Sequence, residues 1–512
     1  MTPETGHVRH ADRRSPWRLQ AALIVVVALL AALVGCSGSA PRKPVAQPPL
    51  PPGDRPNIVF VLTDDLTADL VRFMPHVRAM QRDGMSFTNY SVTDSQCCPS
   101  RSSIFTGRYP HNTGVLTNDP PWGGYAKFQA DQQDQSTFAV ALHNAGYRTG
   151  FMGKYLNGYH PGSSTRQADP VPPGWDEWDG VGWGYNEYNY DIAHNTTTKH
   201  YGHRPQDYLT TVLQHRATDY IGSVAHSGQP FFLEVASFTP HMPYVPAPQD
   251  THAFKNLTAP RTAAWDTLPT NPPAWLASRA PLTDAQISGI DRRFRLRARD
   301  VLSLDRLLGA IEDALYSAGA SKRTIVVFSS DNGYHLGQYR LTAGKMTAFD
   351  TDVVVPLVFT GPDIRPGTTN ADVVQNIDLA PTFEQLAGLR PNRHTMDGSS
   401  LVGLLHQTGT HRGSAALVEH HGQDNSPNNP DNEGPDSANP PSYEALRTAT
   451  FTYVKYTAGG AEFYDRRVDP FELNNIISQL SPQRRARLHH WLVEMSRCQG
   501  VAQCTATPPG GL

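Results

Sequence analysis

Two short apolar runs constrain this chain more than anything else in it. "NIVFVLTDD" (Asn57 to Asp65) and "TIVVFSSDNG" (Thr324 to Gly333) are rich in β-branched residues and end on paired polar side chains. Neither alternates apolar with polar, so each reads as a strand buried on both faces, the signature of a parallel sheet. "FFLEVASFTP" at 231–240 and "VVPLVFTGP" at 354–362 share that character. Helical patterns lie between them, around 136–147, 205–225 and 292–320. Strands alternating with helices of this length predict an α/β fold, a mostly parallel sheet sandwiched by helices. Polar residues just past the carboxyl ends of such strands line the active crevice. Asp64, Asp65, Asp331 and Asn332 are therefore expected to meet in space, although Asp331 follows Asp65 by 266 positions.

Adjacent carboxylates at a strand end need a cation to offset their desolvation. These four residues offer only oxygen, which suits calcium or magnesium and needs no histidine or thiolate. The competing reading is purely conformational, with "DD" a turn and "DNG" a hairpin or helix-start signal.

The N-terminus has to be set apart. Arg9, Arg13, Arg14 and Arg18 precede "AALIVVVALLAALVG", fifteen uncharged residues, and then Cys36. That is a basic region followed by an apolar core shorter than the roughly 20 residues of a membrane span. "LVGC" resembles a bacterial lipobox, which makes residues 1–35 a lipoprotein signal peptide and Cys36 the lipidated first residue of the mature chain. An ordinary secretory signal or a short membrane anchor is the alternative. Under either reading the protein is exported. The lipobox places it on the outer face of a bacterial cell membrane, held by lipid alone after the lipoprotein-processing machinery has acted. Residues 36–55 read as a Pro-rich tether, 56–390 as the catalytic domain, and 391–512 as a smaller C-terminal domain.

The formal charge of −3 gives no support to nucleic-acid binding. In an exported chain, Cys498 and Cys504 of "CQGVAQC" are expected to form a disulfide. The stretch 172–190 is expected to be a long aromatic loop whose rings either stack on a ligand or pack onto the body. His421 to Glu444, rich in Asn, Pro and Asp, is expected to be an irregular surface segment. After it, 446–470 alternates like two antiparallel strands joined by a Gly-Gly turn.

Two of the five cysteines are adjacent, in "SQCCPSRSSIFTGRYPHNTG" at 95–114. Pro99 suits the first turn of a helix. Cys97 just ahead of that helix would sit where backbone amides favour an anion, with Arg101 four residues on. Position alone leaves two readings open, a thiolate nucleophile or two small residues packed at a junction.

"CCPSRSSIFTG" resembles the sulfatase signature, Cys-x-Pro-Ser-Arg followed by a segment ending Thr-Gly, with Cys97 the reactive cysteine and Cys98 the free position. "RPNIVFVLTDD", "GYRTGFMGKY", "TPHMPY", "SSDNGYHLGQ", "GKMTAFDTDVVVPL" and "EFYDRRVDPFELNN" extend the likeness over about residues 55–505. The nearest branch in flavour is that of the N-acetylglucosamine-6-sulfatases and arylsulfatases.

The resemblance implies an alkaline-phosphatase-like fold and a calcium-dependent sulfuric ester hydrolase. It implies that a formylglycine-generating enzyme, or an equivalent, oxidises Cys97 to formylglycine. The hydrated aldehyde then attacks sulfur, forms a covalent sulfate intermediate and expels sulfate through its second hydroxyl. Asp64, Asp65, Asp331 and Asn332 match the family's metal ligands, with residue 97 completing the shell. Arg101 matches the arginine that steadies the diol. Lys154 and His241 match its sulfate contacts, and Lys345 the lysine near the leaving oxygen. The family's usual histidine after the first lysine is missing, because Leu156 and Asn157 stand there. His335 is then either a stand-in proton acceptor or a support for its loop. Tyr109, His111 and Asn112 read as scaffold. A sulfated glycan or aryl sulfate is the expected substrate. The alternatives are a phosphate or phosphonate monoester hydrolase, or a non-catalytic glycan-binding lipoprotein.

Overall fold

The computed structural model describes residues 55–505 apart from 164, 408, 410–413, 424–428 and 432. The signal segment, Cys36 and the tether lie outside the described residues, except that Arg55 closes the tether. From residue 50 onward the chain forms one compact unit.

Ten strands build the main sheet: β1 (Asn57–Thr63), β2 (Met85–Phe87), β3 (Arg148–Lys154), β4 (Glu177–Val181), β5 (Tyr190–His194), β6 (Thr197–Tyr201), β7 (Phe231–Ala236), β8 (Thr324–Ser330), β9 (Leu357–Thr360) and β10 (Thr368–Asn370). Their order is β10-β2-β9-β8-β1-β7-β3-β4-β5-β6. The central five, β8-β1-β7-β3-β4, run parallel. β9 has the apolar run of a buried strand but pairs antiparallel with both β8 and β2. A continuous apolar run reports burial on both faces and carries no information on direction.

The two-residue period of β1 divides the core. Ile58, Phe60 and Leu62 face one cluster with Ile104, Phe105 and Phe383, while Val59 and Val61 face another with Leu213, Val301 and Leu308. Helices Cys97–Thr106, Phe138–Asn144 and Leu379–Leu386 cover the first face. Leu209–Val224 and the long helix Asp284–Ser317 cover the second. The sandwich expected from the alternation of elements is the one observed.

Residues 172–190 are less of a loop than expected. β4 lies within the stretch and β5 begins at its end, and Trp175 and Trp178 are packed into the core against Phe151. At the C-terminal end a four-stranded antiparallel sheet follows, β11 (Ala416–His420), β12 (Tyr443–Arg447), β13 (Phe451–Tyr456) and β14 (Ala461–Asp465). The β13–β14 turn carries Gly459 and Gly460, both at positive φ. Cys498 and Cys504 are disulfide-bonded. His111, on the short helix Pro110–Thr113, is tied to the small sheet and the C-terminal end, with Nδ1 on the Glu419 carboxylate of β11 and Nε2 on the Cys498 carbonyl. Tyr109 bonds Gln375 and Asn112 bonds Asp397, so these three residues are scaffold as expected.

Candidate active site

Register assembles the site. Thr63 of β1 pairs with Ser330 of β8, so the next residues, Asp64 and Asp331, leave the sheet side by side. Leu62 and Gly153 both pair with Ala236 of β7, which brings Lys154 and the 237–244 turn to the same carboxyl edge. Both lysines of the site follow a glycine that nothing else can replace. A Cβ on Gly153 (φ +110°) would lie 1.9 Å from the Ala236 carbonyl oxygen, and one on Gly344 (φ +151°) 1.9 Å from Ser437 Oγ.

Helix Cys97–Thr106 begins at Cys97 itself rather than just after it, and it is buried throughout. The two thiols part company there. Cys97 Sγ lies 3.3 Å from Asp64 Oδ1 and 3.0 Å from Lys345 Nζ. Cys98 turns into the apolar core, its amide donating to Asn118 Oδ1. Burial pushes the Cys97 thiol well above its ordinary pKa, and Asp431 and Asp64 push it further. Burial likewise lifts Cys98 to about 12. Burial therefore works against a thiolate at either position, while Lys154 and Lys345 favour one at Cys97.

Around Cys97 the charges interlock. Lys154 Nζ sits 2.6 Å from Asp64 Oδ2, and Lys345 Nζ 2.6 Å from Asp65 Oδ1. Arg101 donates through Nε to Asp331 Oδ2 at 2.7 Å and through Nη1 to the Lys154 carbonyl. Asn332 Nδ2 donates to Asp65 Oδ1. His241 gives Nδ1 to the Met242 carbonyl, which leaves Nε2 facing Asp65 at 3.7 Å. Burial opposes charge on Lys154, Lys345 and His241, but the surrounding carboxylates outweigh it and raise all three. Asp64, Asp65, Cys97 and His241 place ligand atoms within 4.8 Å of one another. Asp331 and Asn332 adjoin them and add oxygens, so the donor set fits a hard divalent cation.

His335 is also buried, but its Nδ1 bonds the Asp352 carboxylate at 3.0 Å. Its Nε2 has no hydrogen-bond partner among the described residues and faces the backbone of Gly344, with which His335 pairs. Leu156, standing where the family's histidine would be, packs in the core.

Several residues here were invisible in the sequence. The segment 421–444, expected at the surface, sends Asp431 into the centre of the site. Asp431 Oδ1 lies 3.0 Å from His241 Nε2, 2.9 Å from Lys345 Nζ and 3.9 Å from Cys97 Sγ. Its other oxygen accepts from Asn118. Burial alone would raise the Asp431 carboxyl, but Lys345 and the His241 hydrogen bond hold it below the usual carboxylate range. Arg297, fully buried on the long helix, donates to the carbonyls of Asp65 and Pro240. It thereby pins Asp65, a non-glycine residue at φ +64°, together with the turn that carries His241. Tyr185 closes one side, its ring 5.0 Å from Lys154 Nζ and 4.6 Å from the His241 ring. No local pattern marks Asp431 or Arg297. Only their partners, 57 to 334 residues away, give them meaning.

Comparison with known proteins settles what this constellation belongs to. The family described as "Sulfatase" matches residues 56–389, and that described as "N-sulphoglucosamine sulphohydrolase, C-terminal" matches 339–497. The chain belongs to the sulfatase family. It is 32% identical to the N-acetylglucosamine-6-sulfatase of Capra hircus over 97% of this chain and 92% of that one. With the human N-acetylglucosamine-6-sulfatase it shares 33% identity, over 89% of this chain and 86% of that one. A protein solved with its substrate D-glucosamine-2-N,6-O-disulfate superposes with a TM-score of 0.70 at 22% identity, covering 86% of this chain and 98% of that one. A phosphonate monoester hydrolase of Agrobacterium radiobacter gives 0.64 at 20% identity, covering 85% and 94%. Hydrolysis of sulfate esters is the chemistry this sulfatase site fits, in an alkaline-phosphatase-like fold.

Proposed function

We propose that this sulfatase removes sulfate from a sugar, using calcium and a formylglycine made from Cys97. The observation that carries the reading is the placement of Cys97 Sγ between Asp64 and Lys345, beside a carboxylate held by Lys345 and His241 where a sulfate would be held. The sulfated sugars named for its relatives support the substrate class.

Asp64, Asp65, Asp331 and Asn332 would hold the calcium, which when bound offsets the carboxylates and polarises ester oxygens. A hydrated aldehyde at position 97 supplies two hydroxyls on one carbon, one to attack sulfur and one to expel sulfate. Arg101, fixed by Asp331 and the Lys154 carbonyl, braces the first turn of the helix that presents residue 97. Lys154 and Lys345 remain ammonium ions in a dry site, where their fields on a developing oxyanion are strong. With Nδ1–H donating to the Met242 carbonyl, His241 carries a proton on Nε2 only as an imidazolium, the form that the surrounding Asp65, Asp64 and Asp431 carboxylates favour, and it is that Nε2–H that it presents to an ester oxygen. His335 acts at one remove, by holding the Gly344–Lys345 turn against Asp352. Export and lipid attachment at Cys36 stay part of this proposal, supported by the "LVGC" sequence.

The test uses protein coexpressed with a converting enzyme and confirmed by peptide mass to carry the aldehyde at residue 97. Paired sulfate and phosphate esters of one aryl alcohol are assayed with and without a calcium chelator. Cys97→Ala should abolish sulfate release and Cys98→Ala should spare it, and calcium should restore chelated enzyme. Preference for the phosphate ester, or turnover that survives Cys97→Ala, would refute the proposal.

A further inference from the structure

Beside the charged knot lies a pocket of about 450 Å³, within the range of small-ligand sites. One wall is the stretch Leu116, Thr117, Asp119, Pro120, Pro121 and Trp122, and the other is His421, Gly422 and Gln423, with Ser442 completing it. Asn118, between Thr117 and Asp119 of the first wall, reaches the Cys98 amide and Asp431. Asp431 Oδ1 lies 3.9 Å from Cys97 Sγ, so the Asn118–Asp431 hydrogen bond places that wall next to the charged knot.

The lining chemistry is unlike that of the knot. Among the described residues no lysine or arginine lines the pocket and Asp119 does, so it does not suit a second anion. It offers an apolar platform, since Trp122 is 61% exposed although it borders a cavity. Around that platform stand an amide (Gln423), an imidazole (His421), hydroxyls (Thr117, Ser442) and one carboxylate (Asp119). Burial lowers the pKa of His421, favouring a neutral ring that can both donate and accept. An indole face ringed by neutral hydrogen-bonding groups and one carboxylate acceptor matches a ring with one apolar C–H face and hydroxyls at its edge.

We propose that this pocket receives the alcohol portion of the ester, a neutral pyranose stacked on Trp122, while its sulfate enters the cationic knot past Asn118. The proposal rests on the sulfatase reading above and adds the sugar-recognition site to it. Sulfated sugars are then separated from simple aryl sulfates by this pocket and not by the charged residues.

The experiment compares wild type, Trp122→Ala, Trp122→Phe and Trp183→Ala on N-acetylglucosamine 6-sulfate and on 4-nitrophenyl sulfate. Trp183 is a fair control because it is also exposed, at 59%, but stands beside Tyr185 and does not line the pocket. Trp122→Ala should raise KM for the sugar sulfate about 3- to 10-fold, the worth of one aromatic stacking contact. It should leave kcat and the aryl ester nearly unchanged, and Trp122→Phe should recover most of the loss. Equal losses on both esters, no loss on the sugar, or a loss that follows Trp183 would overturn it. Saturation-transfer NMR with unsulfated N-acetylglucosamine separates this proposal from its foundation. Contacts seen with wild type and lost in Trp122→Ala sustain the pocket even if no sulfate ester is cleaved. Contacts that are absent or unaffected overturn it.

Discussion

Asp431→Asn is the perturbation that probes the site most directly. The Asp431 carboxylate is held by Lys345 at 2.9 Å and by His241 at 3.0 Å, the cations that a sulfate would need. An incoming anion therefore competes with an internal one. A hydrogen bond to a charged group contributes roughly 1.5–3 kcal/mol and a neutral one roughly 0.5–1.5. Neutralising Asp431 weakens two such bonds by about 1–1.5 kcal/mol each. The ligand then displaces a competitor weaker by about 2–3 kcal/mol, which corresponds to roughly 30- to 150-fold in affinity. Lys345 keeps Asp65 as a partner at 2.6 Å, so the variant is not left with an unpaired buried ammonium. Competitive inhibition by inorganic sulfate, measured against an aryl sulfate, reads binding apart from chemistry. The inhibition constant should fall by at least about tenfold in Asp431→Asn, with KM moving the same way. An inhibition constant that stays put or rises would show that Asp431 assists the anion instead of imitating it, and the reasoning would fail.

Three further outcomes follow from buried groups. Arg297→Met removes two charge-assisted hydrogen bonds, to the Asp65 and Pro240 carbonyls, and should cost about 3 kcal/mol or more in denaturant unfolding. It should lower kcat as well, with Arg297→Lys partly restoring both. Glu234, on β7, has neither carboxyl oxygen hydrogen-bonded among the described residues, and burial lifts its pKa to about 8. Between about 4.5 and 8 the folded protein keeps that proton and the unfolded chain does not, so stability falls as pH rises, by about 1.4 kcal/mol per unit. Glu234→Gln should flatten the decline in melting temperature from pH 5 to pH 8, and an unchanged slope would refute the assignment. Replacing Cys498 and Cys504 together by alanine opens a short loop and should cost about 2 kcal/mol in chemical unfolding. Sulfate release should be spared.

Strand ends and the cysteine pair of the signature were legible because their signals are local. A run such as "NIVFVLTDD" states its own burial and its own polar terminus, and parallel pairing then brings Asp64 beside Asp331. The choice of Cys97 over Cys98 was carried by the signature residues; in the structure the first thiol turns to the charges and the second to the core. Direction was not legible for 354–362, because an antiparallel strand buried on both faces has the same composition. The Asn- and Pro-rich segment misled for a related reason. Polar, turn-forming residues describe how a backbone bends and say nothing of which side chain it carries inward.

By itself, the sequence determined the layered fold, the oxygen-rich strand ends and the signature helix, since each depends on neighbours within one element. Only the tertiary structure decided that Asp431 stands against Lys345 and His241, that Arg297 clamps the Asp65 backbone, and that Trp122 overlooks a pocket beside the charges. Those contacts close loops of up to several hundred residues, and their free energy comes from desolvated charge that exists only once the chain has packed.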